Sequence, residues 1–114
     1  IDRIDILPSS EIEIVDYKTG ASRPKLEAED KEQLLIYQIA AEEVFNEKVK
    51  NLTYYYLDDG KEMSFLGTDI EKNDLKVKIV ETIEKIKGSS FAPTPGPFVC
   101  KFCDFRDICE FRKG

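Results

Sequence analysis

The 114-residue sequence predicts an α/β domain built as a mixed β-sheet flanked by helices, and three observations carry that reading. Two short runs with strand-type alternation open the chain, joined by a tight turn. A segment with helical spacing then leads to a run rich in aromatic and β-branched residues, which turns back into a shorter strand. A second helically spaced segment follows.

The first run, Ile1 to Leu7, ends at the turn Pro8-Ser9-Ser10, and the second is expected from Glu11 to Tyr17. Alternation sends Ile12, Ile14, Asp16 and Lys18 to one face, so an acid and an amine emerge together where the apolar run stops. In the first strand Asp2 shares parity with Ile4 and Ile6, and Asp5 shares it with Arg3. Asp2 is therefore expected to point inward beside Asp16, and Asp5 to pair with Arg3. A polar loop covers Gly20 to Glu29.

A helix is expected from about Lys31 to Phe45, with Asp30 as N-cap and Gln33 three positions on. Its apolar arc is read as Gln33, Ile36, Tyr37, Ala40, Ala41 and Val44, with packing on the sheet through Ile36, Ala40 and Val44. The next strand runs from Asn51 to Leu57, turns at Asp58-Asp59-Gly60 and returns from Glu62 to Leu66. Thr68 and Glu71 form a capping-box pattern, and Leu75, Ile79, Ile83 and Ile86 recur at helical spacing up to a stop at Gly88. These four are expected to face the sheet. Pro93, Pro95 and Pro97 bar any helical continuation through the following segment, because each lacks a donor and restricts its predecessor.

No apolar run approaches the roughly 20 residues that span a bilayer, and no secretory leader is present, so a soluble cytoplasmic protein with no membrane partner is expected. Seventeen Lys and Arg against 23 Asp and Glu leave a net charge of -6, which argues against an extended polyanion-binding surface. A bound divalent cation would cancel part of the local carboxylate charge. The chain also starts without methionine, within a strand. A piece of a longer protein, truncated at the N-terminus of its fold, is therefore expected.

The chemistry-bearing residues are Asp2, Asp16 and Lys18. A hard cation such as Mg²⁺ or Mn²⁺ is commonly held by one or two carboxylates plus waters and phosphate oxygens, and Asp2 and Asp16 fit that demand. The backbone carbonyl of Tyr17 is a further candidate ligand. Lys18 would then stand beside a water on that ion, or stabilise charge on a phosphate, which favours phosphodiester hydrolysis. The competing reading is an ordinary surface ion pair between Asp16 and Lys18. Gln33 and Tyr37 likewise admit two readings: an amide satisfying the helix cap and a core aromatic, or polar groups aimed at the site.

The order Ile1-Asp2-Arg3-Ile4-Asp5, then Val15-Asp16-Tyr17-Lys18-Thr19-Gly20, then Gln33-x-x-x-Tyr37 closely resembles the RecB-like branch of the PD-(D/E)XK nuclease superfamily. The resemblance implies a restriction-endonuclease-like fold, with residues 1–92 as the nuclease core and 93–114 as a proline-rich linker and cysteine-bearing tail. It assigns Asp2 and Asp16 to the metal and Lys18 to catalysis. Gln33 and Tyr37 match a motif that positions DNA and the active site. It further implies exonuclease-like cutting of DNA within a helicase-nuclease of repair or recombination. Such nucleases often carry another metal-binding His or Glu upstream of the first aspartate, and this chain has no histidine.

Cys100, Cys103 and Cys109 are the only cysteines. Three thiolates at this spacing could face one point and select zinc or an iron-sulfur cluster, although a closed tetrahedral site needs a fourth ligand. Disulfides or free thiols are the plain alternative. The resemblance implies a [4Fe-4S] cluster completed by a distant upstream cysteine in a longer parent, incomplete or absent here. Two functions compete with the nuclease: a catalytically inactive nuclease-fold module that binds DNA or docks a protein, and a small zinc-stabilised interaction module.

Overall fold

A computed structural model describes residues 1–114, which divide into two compact units, Ile1–Glu81 and Thr82–Gly114. The first contains β1 (Arg3–Ile6), β2 (Ile12–Lys18), α1 (Ala28–Glu43), β3 (Val49–Tyr56), β4 (Glu62–Phe65) and most of α2 (Asp69–Lys87). The strands form one mixed sheet in the order β1-β2-β3-β4. The outer pairs are antiparallel and the central β2/β3 pair is parallel, with α1 as the crossover. This is the α/β arrangement expected, with strand ends moved by one or two residues.

The sheet positions the chemistry through strict period-two alternation. Ile12, Ile14 and Asp16 of β2 are buried on the α1 side, where Leu52, Tyr54 and Tyr56 of β3 and Leu34 and Ala41 of α1 complete the core. The opposite face carries a polar network: Glu13 accepts from Asn51 at 2.8 Å and from Thr53 at 3.0 Å, and Thr53 meets Ser64 at 2.7 Å. β1 is an edge strand. Ile4 and Ile6 share an apolar groove with Ile12, Tyr37 and Phe45 but remain half or more exposed.

Three expectations about the helices are corrected. Asp30 is not the N-cap: α1 begins at Ala28 after Glu27, and the Asp30 carboxylate reaches back from N3 to accept the Glu27 N–H at 2.9 Å. This frees Gln33 from the cap. Next, Ile36 and Val44 are exposed, and the buried residues of α1 are Leu34, Leu35, Gln38 and Ala41. Gln38 turns the helix because its amide grips the chain after β4, accepting the Gly67 N–H at 2.9 Å and donating to the Gly67 carbonyl at 3.3 Å.

The third correction concerns α2. Its cap forms as the sequence indicates, with Thr68 Oγ1 accepting the Glu71 N–H at 3.1 Å, but only Leu75 of its apolar stripe is buried. Ile79 is half-buried, and Ile83 and Ile86 are exposed. Ion pairs tie α2 to the outside of α1 instead: Lys72 to Glu42 at 2.7 Å, Lys76 to Glu43 and Lys78 to Glu32. The second unit holds a short helix that the proline pattern did not suggest, α3 (Pro97–Lys101), with Pro97 at its first turn where no donor is needed.

Gly67 is the tightest point of this arrangement. A Cβ there would lie 2.3 Å from Leu35 Cδ2 and 2.6 Å from Gln38 Oε1, and the latter atom is fixed by its own hydrogen bond. Gly67→Ala is expected to lower unfolding stability by about 1–3 kcal/mol. A reduced urea midpoint at unchanged slope checks it.

Candidate active site

Asp16 is the last buried residue of β2, 5% exposed. An ionised carboxylate in that position demands a partner, and the next residue of the same parity supplies one: Lys18 Nζ lies 3.1 Å from Asp16 Oδ2. Lys18 is held a second time, donating to Gln33 Oε1 at 2.8 Å. Gln33 Nε2 in turn donates to the Tyr37 hydroxyl at 2.8 Å, one helical turn on. Asp16, Lys18, Gln33 and Tyr37 thus form one continuous chain of contacts. The ring of Tyr54 closes it from the sheet side, with Lys18 Nζ 5.2 Å from the ring centroid.

Asp2 approaches from β1. Its carboxylate accepts the Tyr17 N–H at 2.8 Å, which sets it against the peptide that joins Asp16 to Tyr17. It stands exposed at the sheet edge rather than pointing inward. Arg3 and Asp5 pair at 3.0 Å, as parity suggests. The Tyr17 side chain leaves by the opposite face, where its hydroxyl accepts from Arg3 at 2.8 Å and its ring meets Tyr55 edge-on.

The donor set suits a hard divalent cation. Two carboxylates at the ends of neighbouring strands, one buried and one open to water, match the usual protein share of a Mg²⁺ shell, the rest being water and substrate oxygens. Nowhere do three His, Cys, Asp or Glu side chains gather to hold a metal ion.

That last fact also bears on the tail. Cys100, Cys103 and Cys109 are free thiols that do not converge as their spacing allowed. Cys100 is turned to its own chain, with Sγ accepting the Lys113 N–H at 3.5 Å. This bond, and secondarily a backbone bond involving Gly96, holds its thiol below the ordinary range. The arrangement fits neither a [4Fe-4S] cluster nor a zinc site, both of which call for four ligands around one point.

Two contributors escaped the sequence reading. Tyr54 was placed in a strand by its neighbours, and its parity with Leu52 and Tyr56 could have put it beside the helix. Its hydroxyl donates to the Asp30 carbonyl. Burial first, and then the Asp16 charge, push its hydroxyl up to about 12. Arg23, in the loop after β2, pairs with Asp30 at 3.0 Å and shares with Lys18 the wall of a cavity of about 360 Å³. Nothing in the local pattern singled it out.

Because the Tyr54 value is raised in the folded state, its contribution to stability is complete below the unfolded value near 10 and is lost as pH rises from there to about 12. Denaturant titrations between pH 9 and 12 should show that loss, and Tyr54→Phe should remove this component of it.

With this geometry in place, comparison with known proteins gives one family: the sequence model of the PD-(D/E)XK nuclease superfamily matches residues 1–110. No match to a curated protein is found.

Proposed function

Since the chain belongs to the PD-(D/E)XK nuclease superfamily, we propose that it is a metal-dependent deoxyribonuclease domain in which Asp2, Asp16 and Lys18 carry phosphodiester hydrolysis. The observation that carries this reading is the doubly held Lys18, 3.1 Å from a buried carboxylate and 2.8 Å from Gln33. An ordinary surface ion pair would need neither the burial nor the second anchor.

Asp16 and Asp2 bind the cation, with the Tyr17 carbonyl as a further candidate ligand. A Mg²⁺ or Mn²⁺ ion bound there supplies Lewis-acid polarisation of the phosphoryl group and a nucleophilic water at neutral pH. Lys18 directs its amine at Asp16 as an ion pair and at Gln33 as a hydrogen bond. Its remaining direction serves the reacting phosphate, steadying negative charge as it develops. Gln33 fixes the amine, and Tyr37 fixes Gln33, so that no reorganisation is needed when the strand binds. Exonuclease-like cutting and service within a helicase-nuclease of DNA repair or recombination complete the reading. They rest on the resemblance of the Asp2, Asp16-x-Lys18 and Gln33-x-x-x-Tyr37 motifs.

One observation favours a second reading, a nuclease-fold module that binds DNA or docks a protein without cutting. No group of three acidic side chains gathers at the site, and the chain as a whole is acidic.

Cleavage of single-stranded DNA in the presence of Mg²⁺ or Mn²⁺ tests both. Asp16→Ala and Lys18→Ala are each expected to reduce the rate by roughly 10²–10³-fold or more. Activity that survives both substitutions refutes the assignment, and DNA binding without cleavage by the wild type selects the second reading. Gln33→Leu is expected to lower kcat by about 10–100-fold with little change in KM, because it loosens the amine without removing it. Steady-state kinetics on a labelled oligonucleotide separates the two constants.

A further inference from the structure

The cavity beside Lys18 contains a second cation that the hydrolytic scheme leaves unused. Arg23 spends a single N–H on Asp30 Oδ1, at 3.0 Å, and its side chain is 65% exposed, so most of its planar fork is turned to solvent. Asp30 is already committed, since its other oxygen accepts the Glu27 N–H and caps α1. The remaining wall carries Thr19, Glu29 and Tyr56, and the volume of about 360 Å³ falls within the roughly 300–1,000 Å³ of small-ligand sites.

Arg23 is also unusually well placed for a residue on a loop. The segment leaving β2 is stapled to the β3–β4 turn: Ser22 donates to Asp59 Oδ2 through its amide at 3.0 Å and its hydroxyl at 2.8 Å. Leu57 donates to the Lys18 carbonyl at 2.9 Å, and Asp58 to the Gly20 carbonyl at 3.3 Å. The bonds from the Ser22 amide and hydroxyl hold the Asp59 carboxyl below its ordinary range. Four residues separate Lys18 from Arg23, and the staples fix both ends of that span.

We propose that Arg23 is a phosphate-positioning residue, its guanidinium binding a backbone phosphate next to the one presented to Lys18. Asp59 acts through Ser22 to hold it there. The inference rests on the nuclease reading above and adds the subsite that sets the register of the strand. A guanidinium fork matches phosphate geometry, and a contact of this kind fixes position without reading sequence.

The test measures cleavage of a labelled single-stranded oligonucleotide in Mg²⁺ by wild type, Arg23→Ala, Arg23→Lys and Asp59→Asn. It is paired with the salt dependence of DNA binding in Ca²⁺. Arg23→Ala is expected to raise KM about tenfold with kcat held within about threefold, and to reduce the salt slope of binding by about 1. Arg23→Lys should restore the salt slope but only part of KM, because it returns the charge without the fork. Asp59→Asn should raise KM with the salt slope unchanged. An active wild type whose KM and salt slope are both indifferent to Arg23→Ala overturns this inference alone. A wild type that neither cuts nor binds overturns the nuclease reading, and this inference with it.

Discussion

The burial of the Asp16 carboxylate at the end of β2 is the constraint from which the rest of the first unit follows. Removing an ionised carboxylate from water costs several kcal/mol unless a partner is fixed nearby. Here Lys18 is that partner, 3.1 Å away, and strand periodicity makes it available two residues on. Lys18 is itself long and flexible, so a single contact would leave it mobile. Gln33 supplies the second contact, and this ties the register of α1 to that of β2 through a side chain rather than through apolar packing alone. Tyr37 then closes the chain on the same helix.

That coupling explains why α1 is polar where a helical wheel suggests a seam. The helix turns toward the sheet with Leu34 and Ala41, toward Lys18 with Gln33, and toward Gly67 with Gln38. Gln38 satisfies the buried Gly67 backbone, Gln33 joins the half-buried Lys18 and Tyr37, and no buried side-chain nitrogen or oxygen lacks a partner. The N-terminus of α1 is bound up in the same network. Asp30 caps the helix, anchors Arg23 and accepts the Tyr54 hydroxyl on its backbone carbonyl. A change at Asp30 would therefore reach the cap, the loop and the ring beneath Lys18 at once.

Much of this was legible in the residues, and the illegible parts share a physical cause. Period-two alternation in Ile12, Ile14, Asp16 and Lys18 gave their common face without further knowledge, because register in a half-buried strand is set by parity. The four strands and the Thr68–Glu71 cap were legible for similar local reasons. Which arc of α1 faces inward was not, since Leu34 and Leu35 compete with Ile36 and Val44, and only the distant backbone of Gly67 decides between them. Periodicity in α2 announced a helix but could not name its partner. Lys72, Lys76 and Lys78 pair with α1, and Ile83 and Ile86 stand exposed. The cysteine spacing counted ligands without aiming them, and Cys100 is turned to Lys113. Arg23 sits in a loop whose conformation depends on Asp59, 36 positions further along the chain.

A net charge of -6 counts against an extended polyanion-binding surface, but a total does not fix the charge at any one cavity. Many of the acids are spent on neighbours: Glu32, Glu42 and Glu43 on the lysines of α2, and Glu11 near Lys48 and Lys50. Paired charges of this kind largely cancel beyond a Debye length, so they say little about the field at a particular cavity. At the cavity beside β2 the balance is different. Lys18 and Arg23 both reach it, Asp16 is buried behind Lys18, and Asp30 is committed to the helix cap. On the proposed function, the potential that a phosphate would meet is set by those two cations, by Glu29 in the same wall and by a cation that Asp2 and Asp16 would hold, more than by the total of -6. An acidic chain can thus carry a locally cationic cavity, provided its surplus carboxylates lie more than a Debye length away.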